Sequence, residues 1–139
     1  MIFDMEKSFA DRLFSSNFPK VYNVGSKKKI DGSKLICFYL PQFHIIPEND
    51  KWWGKGFTEW RNTAKAKPNF PHHYQPHIPS DLGFYDLSIT ENIKKQVAMA
   101  SQNGIYGFCF HYYWFSGKKL LNKPIDLFLK SNINLNFCL

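Results

Sequence analysis

The chain has 139 residues, 44% of them hydrophobic and 18% aromatic, a composition that suits one packed domain and excludes a disordered tail or linker. The formal net charge is +7, but the basic residues are spread along the chain, which favours a solvated basic surface over a polyanionic partner such as nucleic acid. Charged residues interrupt the first part of the chain, which excludes the apolar core of a signal peptide. No run of residues reaches the about 18 apolar residues of a membrane span. We therefore expect a cytoplasmic protein without a transmembrane segment.

Residues 1–33 carry little information about function. An apolar pattern compatible with a short amphipathic helix is followed by a basic connector that contains glycine. We interpret this segment as a lead-in to the domain that follows or as the remnant of an upstream element.

Three apolar segments predict the strands of an α/β fold. Residues 35–40 form a continuous apolar run that Pro41 ends, which is typical of a strand buried on both faces. Residues 105–115 indicate a second strand that runs into an aromatic loop, and residues 134–139 indicate a third.

Two predicted helices separate these strands. Ser88 and Glu91 have the spacing of a capping box at the start of the first helix, and Gly104 is placed to end it in a left-handed conformation. The second helix covers residues 120–130 and has Pro124 in its first turn. The alternation of strands and helices predicts parallel strands with right-handed crossovers.

The segment from Tyr39 to Tyr85 holds three of the four tryptophans, four of the five histidines and six of the eight prolines. These prolines exclude a long helix or a central strand, so we expect an ordered loop. A loop that follows a parallel strand lies at the carboxyl-terminal edge of the sheet, where barrels and open α/β sheets place their sites. We therefore interpret it as the working surface of the domain.

The three cysteines, Cys37, Cys109 and Cys138, occupy matching places in the three predicted strands. If all three face the interior of a barrel, large apolar groups such as Phe38 and Phe108 point outward, toward the covering helices. The inward groups near the strand ends are then Tyr39, His111 and Tyr113. A shift of one residue in either strand would reverse this assignment.

Metal binding is not favoured by the sequence. His72, His73 and His77 lie close together, but Pro76 opposes a shared helical face and no cysteine pair supports a metal site. We therefore expect no metal and no cofactor.

The aromatic residues of the loop have two interpretations. Tryptophans beside polar side chains suit either a sugar pocket or a hydrophobic core. Chemistry at a glycosidic bond generally needs two carboxylates about 5–9.5 Å apart, and Glu59 is the carboxylate that sits among aromatic residues. The loop thus suggests sugar binding without a convincing catalytic pair.

Three stretches of the chain resemble one known family. They are FYLPQFHIIPENDKWWGKGFTEWRNTAKAKPNFPHHYQPHIPSDLGFYDL at residues 38–87, GIYGFCFHYYWFSGKKLLNKPID at 104–126 and NFCL at 136–139. The sequence resembles the WbsX-type glycosyltransferases, also described as glycoside hydrolase family 99-like domains, over residues 34–139. The resemblance implies a (β/α)8 barrel that acts on a glycan, often in the biosynthesis of bacterial surface polysaccharide such as lipopolysaccharide O-antigen or capsule. The glutamates suspected of catalysis in that family lie near a Trp-Asn-Glu-Trp-Ala-Glu type motif, which nothing in this sequence matches.

We therefore expect a partial (β/α)8 TIM-type barrel made of the first three parallel strands and two helices, with a long loop after the first strand. A complete barrel needs about 250 residues, so residues 34–139 are expected to be the truncated N-terminal part of such a domain. The alternative is a non-catalytic glycan-binding or scaffold protein. The predicted sugar-contacting residues, none of them catalytic, are Tyr39, Gln42, His44, Trp53, Glu59, Trp60, His111, Tyr113 and Trp114.

Overall fold

The structure, a computed structural model, describes residues 32–139 and folds them into a mixed α/β unit. Its elements in chain order are β1 (Ile36–Tyr39), α1 (Pro47–Trp53), α2 (Glu59–Lys65), α3 (Thr90–Gln102), β2 (Gly107–Phe110), β3 (Tyr113–Phe115), β4 (Lys118–Leu120), α4 (Lys123–Lys130) and β5 (Asn136–Cys138). Within this range no helix has the length and apolar character needed to cross a membrane. The lead-in predicted for residues 1–33 lies outside the described residues, apart from Gly32 and Ser33.

Strands β1, β2 and β5 form a parallel sheet in which β2 lies in the centre, between β1 and β5. β1 pairs with β2 from Ile36 and Gly107 onward, and Gly107 also pairs with Asn136 of β5. A Cβ atom at Gly107 would lie 2.5 Å from the carbonyl oxygen of Asn136, so the close approach of β5 requires glycine there. The predicted parallel strands are confirmed, although each is shorter than the apolar run that indicated it.

Helices α3 and α4 cover one face of this sheet. The core that joins them to the strands consists of Tyr39, Leu87, Ile93, Val97, Phe108, Phe110, Ile125 and Phe128. The rings of Tyr39 and Phe108 stack with their centroids 4.7 Å apart, and the Tyr39 hydroxyl donates a hydrogen bond to Gln96 of α3. Burial of these large apolar groups is the main term that stabilises the unit.

The opposite face of the sheet is open. Phe38 in the middle of β1 is 87% exposed, and Ile36 and Leu40 beside it are exposed as well. The expectation that the first strand is buried on both faces is therefore wrong for residues 32–139, because α3 and α4 lie on the other side.

The three cysteines do not share a face. Cys37 pairs in register with Phe108, so it lies on the helix side, whereas Cys109 and Cys138 lie on the open side. The predicted orientation is confirmed for β2 and is wrong by one residue for β1. As a consequence Tyr39, which was expected to face inward, belongs to the core beneath the helices.

Two helices lie within the segment that the sequence predicts to be a loop. α1 has Pro47 in its first turn, where the missing backbone N–H is not needed, and both α1 and α2 have seven residues. The described residues therefore contain four helices instead of the predicted two. The prolines exclude a long helix from this segment but leave room for short ones.

The two ends of α3 differ in how well the sequence predicts them. The prediction of a capping box is wrong, because the helix starts without a side-chain cap. The Ser88 N–H instead donates to the Asp86 carboxylate at 2.7 Å. The other end is confirmed, since Gly104 has φ of +80° and the Ile105 N–H donates to the Ala100 carbonyl at 3.0 Å. This is the Schellman arrangement that a glycine after a helix predicts.

An antiparallel hairpin of β3 and β4 replaces the predicted aromatic loop and the start of the second helix. Its turn residues Ser116 and Gly117 have φ of +45° and +84°, as in a two-residue type I′ turn. The Ser-Gly pair between two short strand-forming runs is the sequence signal that indicates this hairpin. Because Leu120 belongs to β4, the second predicted helix begins later, at Lys123, and keeps Pro124 in its first turn.

Candidate functional site

The carboxyl-terminal ends of β1 and β2 bring two distant parts of the chain together. The His111 N–H donates to the Tyr39 carbonyl at 2.9 Å, which extends the strand pairing by one residue. Beyond this point the Tyr113 hydroxyl donates a hydrogen bond to Gln42 Oε1. Two predicted site residues separated by 71 positions therefore meet directly.

His111 packs against Tyr113, and the Glu59 carboxylate is near enough to act electrostatically on the Tyr113 hydroxyl. We call Gln42, Glu59, His111 and Tyr113 the strand-end cluster. The ring centroids of His111 and Tyr113 are 4.5 Å apart, with the ring planes at 59°. Burial and the nearby Glu59 carboxylate both raise the pKa of the Tyr113 hydroxyl, which therefore stays protonated near neutral pH. The cluster presents a phenol, an amide, an imidazole and a carboxylate, a set that can donate to and accept from sugar hydroxyls.

The long segment after β1 is closed at its base and packed around Trp60. The Leu87 N–H donates to the Phe43 carbonyl at 2.9 Å. The Trp60 ring lies with its centroid 4.6 Å from that of Phe43 and 4.9 Å from that of Tyr85, and its indole N–H donates to the Tyr85 carbonyl at 2.8 Å. The structure thus places this predicted sugar contact in a packing position, with its polar group already bonded.

The turn after α1 supports Trp53. Asp50 Oδ1 accepts hydrogen bonds from the N–H groups of Gly56 and Phe57 at 2.9 and 3.2 Å, and Arg61 donates to the Trp53 carbonyl at 3.0 Å. The Trp53 ring stacks on Phe57 with centroids 5.7 Å apart, yet 63% of the residue is exposed. Trp53 is therefore held in place with much of its surface open to a ligand.

The hairpin is tied to α1 by an ion pair between Lys118 and Glu48. The hydrogen bond from Lys118 lowers the pKa of the Glu48 carboxyl, so this carboxylate is poorly suited to donate a proton. On the hairpin Trp114 is 55% exposed, and its ring stacks on Tyr112 with centroids 6.2 Å apart. The sequence gives no signal for the Glu48–Lys118 contact, because 70 positions separate the two residues.

His44 is buried beneath this edge, with 1% of its surface exposed. Neither of its ring nitrogens has a hydrogen-bond partner among residues 32–139. Burial lowers the pKa of the imidazole, and Lys123 acts in the same direction, while the Pro41 carbonyl and the Asp86 carboxylate oppose them. His44, a predicted sugar contact, is therefore a neutral buried side chain in this fold.

The remaining histidines of the long segment do not converge on a point. His73 Nδ1 accepts a hydrogen bond from the Asn69 N–H at 3.1 Å, and the ring of His77 lies edge-on to Tyr74 with centroids 4.7 Å apart. Between residues 32 and 139 no group of three or more histidine, cysteine or acidic side chains is arranged to hold a metal ion.

The predicted site residues thus fall into three groups. The strand-end cluster brings together Gln42, Glu59, His111 and Tyr113. Trp53 of α1 and Trp114 of the hairpin are both exposed. The Glu48–Lys118 ion pair joins α1 to the hairpin. The packed residues are Tyr39, His44 and Trp60.

Comparison with known proteins gives a consistent family match. The sequence profile of the family described as glycosyltransferase WbsX matches residues 35–139. Two curated relatives from strains of Xanthomonas campestris pv. campestris, both named "Uncharacterized protein WxcX", are 54% identical to the chain over 106 residues. The aligned part covers 76% of this chain and 15% of each relative, so the chain spans a small share of their length. No solved structure matches the chain.

Replacement of Trp60 tests whether this residue supports the fold. We expect Trp60→Ala to lower the free energy of unfolding by about 2–4 kcal/mol, because it removes the ring packed against Phe43 and Tyr85. Trp53→Ala is the matched control and should cost no more than about 1 kcal/mol, since its ring is largely exposed. Urea unfolding followed by circular dichroism measures both, and equal losses would contradict the packing role of Trp60.

The depressed pKa of His44 predicts a pH-dependent stability. In the unfolded chain His44 takes up a proton below its ordinary pKa of 6.5, whereas in the folded chain burial disfavours the protonated form. The contribution of neutral His44 to the free energy of unfolding is therefore complete above that pH. It is lost as the pH falls toward the lower pKa of the folded chain. We expect a slope of at most about 1.4 kcal/mol per pH unit between about pH 7 and pH 5. His44→Leu should flatten this part of the curve, whereas His111→Gln should retain it. An unchanged slope in His44→Leu would assign the pH dependence to another group.

Proposed function

The chain belongs to the glycosyltransferase WbsX family, and we propose that its strand-end cluster and the flanking residues Trp53 and Trp114 bind a glycan. Membership of this family indicates a carbohydrate-active role. The observation that carries the proposal is the hydrogen bond between Gln42 and Tyr113, because it joins polar groups from two strand ends at the edge where parallel sheets place their ligands.

The chemistry of the cluster supports a neutral, hydroxyl-rich ligand. Gln42 and Tyr113 each keep hydrogen-bonding capacity beyond the bond they share, since the amide has two donor hydrogens and the phenol has a free lone pair. Glu59 adds an acceptor and His111 adds a donor or an acceptor. Exposed tryptophan rings such as Trp53 and Trp114 suit the apolar C–H faces of a pyranose, as is typical of sugar sites.

The open face of the sheet supports a proposal for the larger fold. Phe38, Ile36 and Leu40 form an exposed apolar surface opposite the helices, and an apolar patch of this kind in a parallel sheet needs a cover. We propose that residues 34–139 are the N-terminal part of a glycoside hydrolase family 99-like (β/α)8 barrel, in which this face is the interior. Helices α3 and α4 pack on the other face of the sheet, as the outer helices of such a barrel would.

The cellular role we propose is bacterial surface polysaccharide biosynthesis, of lipopolysaccharide O-antigen or capsule, in the cytoplasm. Hydrolysis of a glycosidic bond generally uses two suitably placed carboxylates. Of the acidic side chains on α1 and α2, Glu48 is paired with Lys118 and Asp50 accepts hydrogen bonds from two backbone N–H groups, which leaves Glu59. The described residues therefore supply binding, and non-catalytic glycan recognition is the second candidate that this arrangement favours.

Glycan binding is tested by exposing the labelled chain to an immobilised set of O-antigen and capsular oligosaccharides. We expect retention that Gln42→Ala and Tyr113→Phe each weaken by about tenfold, which corresponds to one lost hydrogen bond of about 1.4 kcal/mol. The matched control is Tyr106→Phe, because Tyr106 precedes β2 and lies at the opposite, amino-terminal end of the strands. Its ring centroid is 4.7 Å from Lys34 Nζ.

Three outcomes of this experiment are informative. Loss of retention in the two cluster variants with unchanged Tyr106→Phe supports the proposed site. Equal retention by all variants would contradict it. A steep loss of affinity with added salt would indicate phosphate contacts and favour a polyanionic ligand over stacking on a neutral sugar.

A further inference from the structure

Two of the three cysteines lie side by side on the open face of the sheet. Cys109 of β2 and Cys138 of β5 are register partners on adjacent parallel strands. The neighbouring Cys109 side chain raises the pKa of the Cys138 thiol, in keeping with two thiols that lie close together. Cys138 is exposed and Cys109 is half-buried, whereas Cys37 lies on the helix side.

The register pairing of these two residues is compatible with the Cα spacing of a disulfide. Adjacent strands lie about 4.8 Å apart, within the range of about 4.4–6.8 Å between the Cα atoms of bridged cysteines. The side chains of both residues point to the same face, and β5 is a short strand at the edge of the described sheet. We propose that Cys109 and Cys138 form a redox-sensitive pair that hydrogen peroxide converts to a cross-strand disulfide.

The reaction is balanced with one peroxide for each pair. The thiolate of the exposed Cys138 attacks one peroxide oxygen, the O–O bond breaks, and a sulfenic acid and hydroxide form, the latter taking up the proton of the thiol as water. Cys109 then loses its proton and attacks the Cys138 sulfur, which forms the S–S bond and releases a second water. Both sulfur atoms are oxidised and the peroxide is reduced to water.

The choice of a small peroxide follows from the position of the pair. In the proposed barrel this face would be the interior, which a small peroxide enters more readily than a bulky disulfide reagent. The neighbouring Cys109 side chain, burial and the negative charge that Cys109 can carry all raise the pKa of the Cys138 thiol. Since the thiolate is the nucleophile, the raised pKa makes the reaction slow at neutral pH and faster as the pH rises.

Variants with two of the three cysteines distinguish the pair from chance oxidation. Cys37→Ser keeps the pair, and after peroxide we expect a mass loss of two hydrogen atoms, no free thiol and no adduct with dimedone, which traps sulfenic acid. Cys109→Ser is the matched control, since Cys37 and Cys138 face opposite sides of the sheet. It should form a dimedone adduct at Cys138 and no intramolecular disulfide.

Two results would overturn the proposal. The first is a dimedone adduct at Cys138 in Cys37→Ser without a disulfide, and the second is closure of Cys109→Ser at the same rate as Cys37→Ser. Peptide mapping of the peroxide-treated unsubstituted chain gives a test that needs no variant. We expect a peptide that links Cys109 to Cys138, and a link from Cys37 to either of them in its place would contradict the assignment.

Discussion

The parallel pairing of β1 with β2 is the constraint on which the rest of the described structure depends. Because Tyr39 pairs with Phe110, the same face of both strands supplies the aromatic core beneath α3 and α4. The same register ends both strands at one level, so Gln42 and Tyr113 leave the sheet close enough to share a hydrogen bond. Core and cluster are two results of one register, and a shift of one residue would disrupt both.

Local signals in the sequence predict the order and type of the main elements, but not the register. The apolar runs and the glycine after α3 act within a few residues, and both are confirmed. The residues from Ile36 to Tyr39 are all apolar, so no polar alternation tells which of them face the helices. The similar settings of Cys37 and Cys109 suggested a shared face, whereas the register opposes Cys37 to Phe108.

The candidate site could be predicted residue by residue, but its grouping depends on contacts between distant positions. Gln42 and Tyr113 follow strands, and the carboxyl-terminal edge of a parallel sheet is a predictable location. The packing of Trp60 against Phe43 and Tyr85 is not predictable, because an aromatic ring beside polar residues suits a sugar site and a core equally. The ion pair that holds the hairpin against α1 has no local signal either.

The central claim is that the strand-end cluster and the two exposed tryptophans bind a glycan. Nitrogen-15 NMR spectra recorded while an O-antigen oligosaccharide is added test it most directly. We expect the side-chain amide signal of Gln42 and the indole N–H signals of Trp53 and Trp114 to shift along one saturation curve. The indole N–H of Trp60, bonded to the Tyr85 carbonyl, should keep its position. Fixed signals from Gln42 and both exposed tryptophans at saturating oligosaccharide would contradict the claim.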